Sequence, residues 1–153
     1  MKFTTDRESL LRPLQLVTGV VERRQTLPVL SNLLVRAADG VVSFTGTDLE
    51  VQLVASIDGI EVEQEGSATI PARKLADIWR SLVEGSKVSV AVEGTRTIVR
   101  SGRSRFALAT LPVDEFPDVA SQDADVTVSL ALADLQRLLD KTSFAMAQQD
   151  VRY

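Results

Sequence analysis

The sequence predicts an α+β fold in which antiparallel sheets carry two amphipathic helices on one face. In the first part of the chain, about eight short segments alternate apolar with polar residues between tight turns, as antiparallel strands do. Two further segments repeat apolar residues at helical spacing. A strand-like segment followed by a helical one then recurs from residue 126, which indicates an internal repeat.

This repeat defines the predicted domains. A shift of 125 positions, which moves residue 1 onto residue 126, aligns Phe3 with Val128, Leu10 with Leu135 and Leu14 with Leu139. We therefore expect a first domain at residues 1–120, a linker at 121–125 and the truncated beginning of a second domain at 126–153. Repeat units bury apolar surface against their neighbours, so the sequence predicts a fragment of a longer repeat protein.

The first unit is expected to open with a strand at residues 1–5 and a helix directly after it. Thr5 and Glu8 have the spacing of a capping box, in which each side chain satisfies the other's backbone amide. Pro13 lies inside the helical pattern and is expected to kink or open the helix locally, because it lacks a backbone donor. The apolar stripe of this helix consists of Leu10, Leu14, Val17 and Val21.

Strands and a second helix follow. Asp39 with Gly40, and Glu93 with Gly94, are predicted turns. Pro71 suits the first position of the second helix, and Trp79 is expected in the core. The helix stripe is Leu75, Ile78, Trp79 and Leu82, and the predicted strands are 30–37, 41–46, 49–57, 66–70, 87–92, 96–101 and 105–111.

Composition excludes several classes of protein. There are no cysteines and no histidines, which removes disulfides, thiolate metal sites and the usual general base. No metal or other cofactor is expected. Because the sequence has no signal-like start and no long apolar run, we expect a cytoplasmic protein. The net charge of −4 is uneven: residues 96–105 hold four arginines and no acid, so a basic surface can coexist with acidic loops.

Two alternatives without a DNA-binding role remain open from the residues alone. Asp48 and Glu50 lie two positions apart on a predicted strand, hence on one face, as the acid and base of an enzyme would. A solvated strand face explains the same spacing. The second alternative is an oligomerisation module. In contrast, the repeat shift places Arg24 on Gln149, and donors in matching positions of neighbouring units suit a long, regular, anionic partner such as a duplex. From the residues alone, a solvated loop at Arg23 and Arg24 is the favoured explanation.

Five segments together resemble one protein family, the bacterial sliding clamps, which are the beta subunits of DNA polymerase III. The segments are QTLPVLSNLL at 25–34, TGTDLE at 45–50, IPARK at 70–74, SGRSRFALATLP at 101–112 and SFAMAQQDVRY at 143–153. They occur in the order of the family, and the resemblance runs over the whole chain.

The resemblance implies a DNA clamp fold with two helices in each repeated domain, three domains in a subunit and two subunits in a head-to-tail ring. Such a ring encircles double-stranded DNA without reading its sequence and tethers the replicative polymerase as a processivity factor. It is a non-catalytic subunit of the polymerase holoenzyme. Its other implied partners are the clamp loader and clamp-binding peptides, and no membrane is involved.

The resemblance also implies roles for individual residues. Those implied to contact DNA are Arg24, Arg73, Gln149 and Tyr153. Those implied at the dimer interface are Lys74, Arg96, Arg103, Arg105, Phe106 and Leu108. Without the resemblance, Phe106 is expected in the core. Arg152 is expected at the rim of the peptide-binding pocket, most of which lies beyond this chain. No catalytic or metal-binding residue is implied.

Overall fold

A computed structural model describes residues 1–21, 27–117 and 126–146. The chain divides into two compact units, Met1–Val119 and Ala120–Tyr153. The strands of the first unit are β1 (Lys2–Asp6), β2 (Asn32–Ala38), β3 (Val41–Thr47), β4 (Gln52–Ile57), β5 (Glu61–Gln64), β6 (Gly66–Pro71), β7 (Lys87–Glu93), β8 (Arg96–Ser101) and β9 (Ser104–Ala109). Its helices are α1 (Arg7–Thr18) and α2 (Ala72–Ser81).

The strands of the first unit form two antiparallel sheets. One sheet has the order β5-β1-β7-β8-β9 and the other the order β4-β3-β2-β6. α1 packs against α2 and against β3 and β4, while α2 also contacts β2 and β6. The α+β architecture with two helices and antiparallel sheets is therefore confirmed.

The core of the first unit joins both sheets to both helices. Its most completely buried large side chains include Phe3 from β1, Leu14 from α1, Phe44 from β3 and Trp79 from α2. α1 approaches β3 closely: a Cβ added to Gly46 would lie 3.0 Å from a methyl carbon of Val17. The predicted burial of Trp79 is confirmed, with 1% of its surface exposed.

The predicted capping box at the start of α1 is wrong. Thr5 belongs to β1, where it is paired with Val88, and the N-cap residue is Asp6, which makes no side-chain cap hydrogen bond. The N–H of Arg7 donates instead to Ser86 O at 3.0 Å. The helix then continues through Pro13 without interruption to Thr18, so the predicted local opening is not observed.

The strands are close to their predicted positions, with one strand missed. β5 lies in the acidic segment that the sequence favours as a loop, and its Val62 is paired with Phe3 of β1. Strand β4 begins at Gln52 and not at residue 49, because Asp48 to Val51 form a turn. The Asp39-Gly40 turn between β2 and β3 is confirmed, and both residues have positive φ.

The acidic, proline-containing segment after β9 begins as a packed part of the first unit. Residues Val113–Glu115 form a short 3-10 turn, and Phe116 is buried against Val29, Leu30 and Leu34. This small apolar cluster lies on the face of β2 that points away from the main core.

The second unit is described over residues 126–146. Helix α3 (Leu132–Thr142) forms as the repeat predicts, but residues 126–130 are not a strand. Their apolar side chains Val126, Val128 and Leu130 are exposed. A strand needs a partner for its backbone groups, and the described part of this unit contains no other strand.

Candidate functional site

A groove runs between the C-terminal end of α1 and the exposed face of α2. It is lined by Gln15, Thr18, Gly19, Val21, Arg73, Ala76 and Arg80. Two of these residues are arginines and none is acidic. In this groove, two arginines of α2 therefore lie next to the amide side chain of Gln15 on α1.

Arg73 projects from the first turn of α2 and is exposed. Its Nη2 donates to the backbone oxygen of Val21 at 3.1 Å, which fixes one end of the guanidinium beside α1. A guanidinium carries five N–H donors. This one can thus remain anchored to the main chain while other donors bind an anion such as a phosphate.

Arg80 extends the same surface. It lies seven residues after Arg73, two helical turns further along the same face. Its Nε donates to Ala76 O at 3.4 Å, and its guanidinium forms an ion pair with Asp77. Arg80 is not among the residues that the family resemblance implies for DNA contact. The i, i+7 spacing is the signal that would have included it.

The other residues implied to contact DNA or peptide lie outside the described residues. They are Arg24, Gln149, Arg152 and Tyr153. Lys74, implied at the dimer interface, follows Arg73 on α2 and is exposed. The structure therefore places one of the four predicted DNA-contacting residues, and it places that residue in the α1–α2 groove.

Strand β9 is an edge strand whose outer side has no partner among the described strands. Gly102 and Arg103 form the two-residue connection between β8 and β9. Just past the other end of the two strands, the Thr110 N–H donates to Thr95 O at 3.0 Å and continues the hydrogen bonding between β8 and β9. In this register, the even-numbered residues of β9 bond to β8. Arg105, Ala107 and Ala109 consequently direct their backbone groups to the open side.

The two apolar residues implied at the interface face the core of their own unit. Leu108 is 7% exposed and belongs to the main apolar cluster, against which Phe106 packs in a half-buried position. The part of Phe106 that remains accessible borders a groove with Leu82 and Val83, at the end of α2. Val83 is 78% exposed, so this groove offers apolar surface next to the open edge.

The implied interface arginines surround β9. Arg96 lies on β8 opposite Ala109, and Arg103 lies in the β8–β9 turn. Arg105 lies on β9, and its Nη2 is 3.6 Å from Oε2 of Glu93. Positive charge is therefore spread along the open edge and its connecting turn.

The paired-carboxylate hypothesis loses its geometric basis. Asp48 and Glu50 do not share a strand face, because Asp48 Oδ1 accepts the backbone N–H groups of Glu50 (2.9 Å) and Val51 (2.7 Å) in a turn. Over residues 1–21, 27–117 and 126–146, no group of three or more acidic side chains is arranged to hold a metal ion. In the same residues, no helix has both the length and the apolar character needed to span a membrane.

Similar proteins were found at the level of sequence. Residues 1–120 match the family model described as "DNA polymerase III beta subunit, N-terminal domain". The "Beta sliding clamp" of Escherichia coli (strain K12) is 50% identical over 153 residues, which are 100% of this chain and 42% of that protein. The "Beta sliding clamp" of Pseudomonas aeruginosa is 53% identical with the same coverage.

Solved structures show the same similarity. The crystal structure of the DNA polymerase III subunit beta from Pseudomonas aeruginosa matches with a TM-score of 0.93 and 52% identity, over 100% of this chain and 42% of that one. Caulobacter crescentus pol III beta matches with a TM-score of 0.93 and 38% identity, over 100% and 41%. The chain thus spans about 42% of the length of these relatives, and it belongs to the DNA polymerase III beta subunit family.

Proposed function

We propose that this chain is part of a sliding clamp, a homodimeric ring that encircles duplex DNA and acts as a processivity factor in DNA replication. The observation that carries the proposal is the match of all 153 residues to beta sliding clamps at about half identity. The whole ring needs further domains, since the chain covers 42% of those relatives. Its role is non-catalytic, and it requires no cofactor.

A clamp has to hold DNA without stopping at any sequence. Contacts to phosphate satisfy this requirement because phosphates carry no sequence information. The α1–α2 groove supports such contacts: Arg73 and Arg80 are cationic, and Gln15 is a neutral donor or acceptor. Together with Arg24, Gln149 and Tyr153, Arg73 would make weak contacts that exchange as the ring moves, while encirclement provides the retention.

The ring also needs a contact between subunits. Open edge strands pair readily with a strand of another chain, and β9 has its outer backbone groups directed to that side. We place the seam of the head-to-tail dimer here. Lys74, Arg96, Arg103 and Arg105 would face acidic residues of the partner, and Phe106 would offer its accessible surface in the groove beside Val83.

The remaining partners follow from the proposed role. The replicative polymerase, the clamp loader and other clamp-binding peptides would bind a pocket whose rim includes Arg152. A factor that acts on chromosomal DNA in a bacterium operates in the cytoplasm. No interaction with a membrane is proposed.

A primer-extension assay tests this function with the full-length protein, its clamp loader and the replicative polymerase. On a primed circular template with an excess of competing template, we expect products of full length only when the clamp is present. Heat-denatured clamp is the matched control. Product lengths that do not change when the clamp is added would contradict the proposed function.

A further inference from the structure

On the outward face of β7, β8 and β9, Ile98 and its neighbour Ala91 are buried, although neither belongs to the main core. Ile98 is 2% exposed, yet it alternates with Val99, which belongs to the core. Its cross-strand neighbours Ala91 and Ala107 are small. Longer side chains from elsewhere on the outward face must therefore cover it.

Glu93, Arg100 and Arg105 are long side chains of that face, and the ion pair between Glu93 and Arg100 spans the position of Ile98. In the strand register, Glu93 on β7 lies directly opposite Arg96 at the start of β8. Arg100 lies four residues further along β8, about 13 Å away along the backbone. Glu93 Oε1 nevertheless lies 3.2 Å from Nη2 of Arg100. The two side chains have to extend towards each other over the midpoint of this span, which is the position of Ile98.

The same carboxylate serves a second arginine. Glu93 Oε2 lies 3.6 Å from Nη2 of Arg105, and Arg105 is directly opposite Arg100 in the ladder. Like charges directly opposite each other destabilise a sheet. Glu93 offsets that repulsion with one negative charge between two positive ones. The two guanidinium groups keep an excess of one positive charge beside the open edge of β9.

We propose that Glu93 is a positioning residue of the subunit seam, and that Arg100 is a further cation of it. By spanning Ile98, Glu93 holds both guanidinium groups close together at the edge, where they bind carboxylates on the partner subunit. Arg100 is outside the set that the family resemblance implies. This inference rests on the proposed ring dimer, and it identifies Glu93 as the residue that orients Arg100 and Arg105 at the contact between subunits.

A positioning role of Glu93 and an effect of its charge alone predict opposite changes in dimer affinity. Replacing Glu93 by glutamine makes the edge more positive, so a role through net charge alone predicts tighter binding of an acidic partner. A positioning role predicts weaker binding, because the two arginines repel each other and lose their common orientation. The sign of the change in dimer affinity therefore decides between them.

The experiment uses the full-length protein with fluorescently labelled subunits, and it measures the dimer dissociation constant by energy transfer on dilution. At about 0.1 M NaCl we expect Glu93→Gln to raise the constant roughly 3- to 10-fold. At about 1 M NaCl, where screening acts over about 3 Å, the difference should largely vanish. Glu61→Gln, an equal change of charge on the far edge strand β5 of the same sheet, should have little effect.

A second variant distinguishes positioning from a general structural effect. In a background with Arg100→Ala and Arg105→Ala, Glu93→Gln should no longer change the dissociation constant. A persisting effect in that background, or an unchanged or tighter dimer for Glu93→Gln alone, overturns the inference. Wild-type protein that stays monomeric at all concentrations would instead contradict the proposed ring, independently of Glu93.

Discussion

Arg7 and Trp79 exchange hydrogen bonds in both directions. The indole Nε1–H of Trp79 donates to Arg7 O at 2.9 Å, and the Nε–H of Arg7 donates to Trp79 O at 3.2 Å. Arg7 is the first residue of α1 and Trp79 lies in the last turns of α2. The pair therefore fixes the two helices whose exposed faces form the candidate DNA-binding groove.

Replacing Trp79 by phenylalanine should destabilise the first unit. Phenylalanine leaves Arg7 O without its indole donor and leaves a small cavity, which together cost about 2 to 4 kcal/mol of the free energy of unfolding. Urea denaturation followed by circular dichroism measures this change, since Trp79 is the only tryptophan. Ile78→Val, on the same helix and half-buried, should cost about 1 kcal/mol. Equal losses for both variants would show that the indole hydrogen bond to Arg7 O contributes nothing.

Two buried threonines should respond in opposite ways to replacement by valine. Thr69 Oγ1 donates to Leu111 O at 2.7 Å and accepts from Leu111 N (2.8 Å) and from Asn32 Nδ2 (3.1 Å). Thr69→Val leaves these buried groups unpaired and should cost about 2 to 4 kcal/mol.

Thr97 is the matched control for this prediction. It is also fully buried, but its Oγ1 has no hydrogen-bond partner among the described residues. Thr97→Val replaces an unsatisfied hydroxyl by a methyl group and should leave the free energy of unfolding unchanged or raise it. Chemical denaturation of both variants checks the pair. A Thr69→Val variant as stable as Thr97→Val would contradict the hydrogen-bond network.

Glu8 should titrate below the usual range of a glutamate. Its Oε1 accepts the backbone N–H of Gly85 at 3.0 Å, and this hydrogen bond is the main cause that lowers the pKa of Glu8 below its ordinary value of 4.5. A lowered folded-state pKa adds stability above the unfolded value, and that stability is lost as the pH falls through the folded value. Between neutral pH and pH 3 or so, wild type should lose more stability than Glu8→Gln.

Carbon-detected NMR titration of the Glu8 carboxyl group measures its pKa directly. Glu84 is a suitable comparison in the same spectrum, because it is also a glutamate, it is exposed and it directly precedes Gly85 in the sequence. A Glu8 titration midpoint at or above 4.5 would contradict the hydrogen bond to Gly85.

Arg73 should contribute to DNA binding by neutralising phosphate. For the full-length protein on linear duplex, Arg73→Ala should make the plot of log K against log salt concentration shallower by about 0.9, the value of one phosphate contact. Arg36→Ala is the matched control, because Arg36 is an exposed arginine on β2 in a different groove. Equal slopes for wild type and Arg73→Ala would show that Arg73 does not contact a phosphate of the DNA.

The elements that the sequence predicts well are those that local patterns determine. The apolar spacing of α1 and α2 and the Asp39-Gly40 turn need no distant partner. β5 was missed because it is a short edge strand whose acids face solvent and whose Val62 alone pairs inward with Phe3. The capping box failed for a similar reason, since pairing with β7 draws Thr5 into β1.

For the candidate site, too, the sequence predicts which residues are present but not which of them come together. The sequence identifies the arginines, but only the folded chain shows that Arg73 and Arg80 share a groove with α1. Alternation along β9 places Phe106 and Leu108 on one face, and the residues alone favour Phe106 as a core side chain; in the structure it packs against the core. The contact of Glu93 with Arg100 and Arg105 crosses three strands, and no local pattern predicts it.

Retention on DNA of different topology tests the central claim most directly. Full-length protein is loaded onto nicked circular duplex by its loader, washed at high salt and counted before and after a single cut linearises the DNA. Encirclement predicts salt-resistant retention on the circle and rapid loss once an end is available. Equal retention on circular and linear DNA, falling with salt in both, would contradict it.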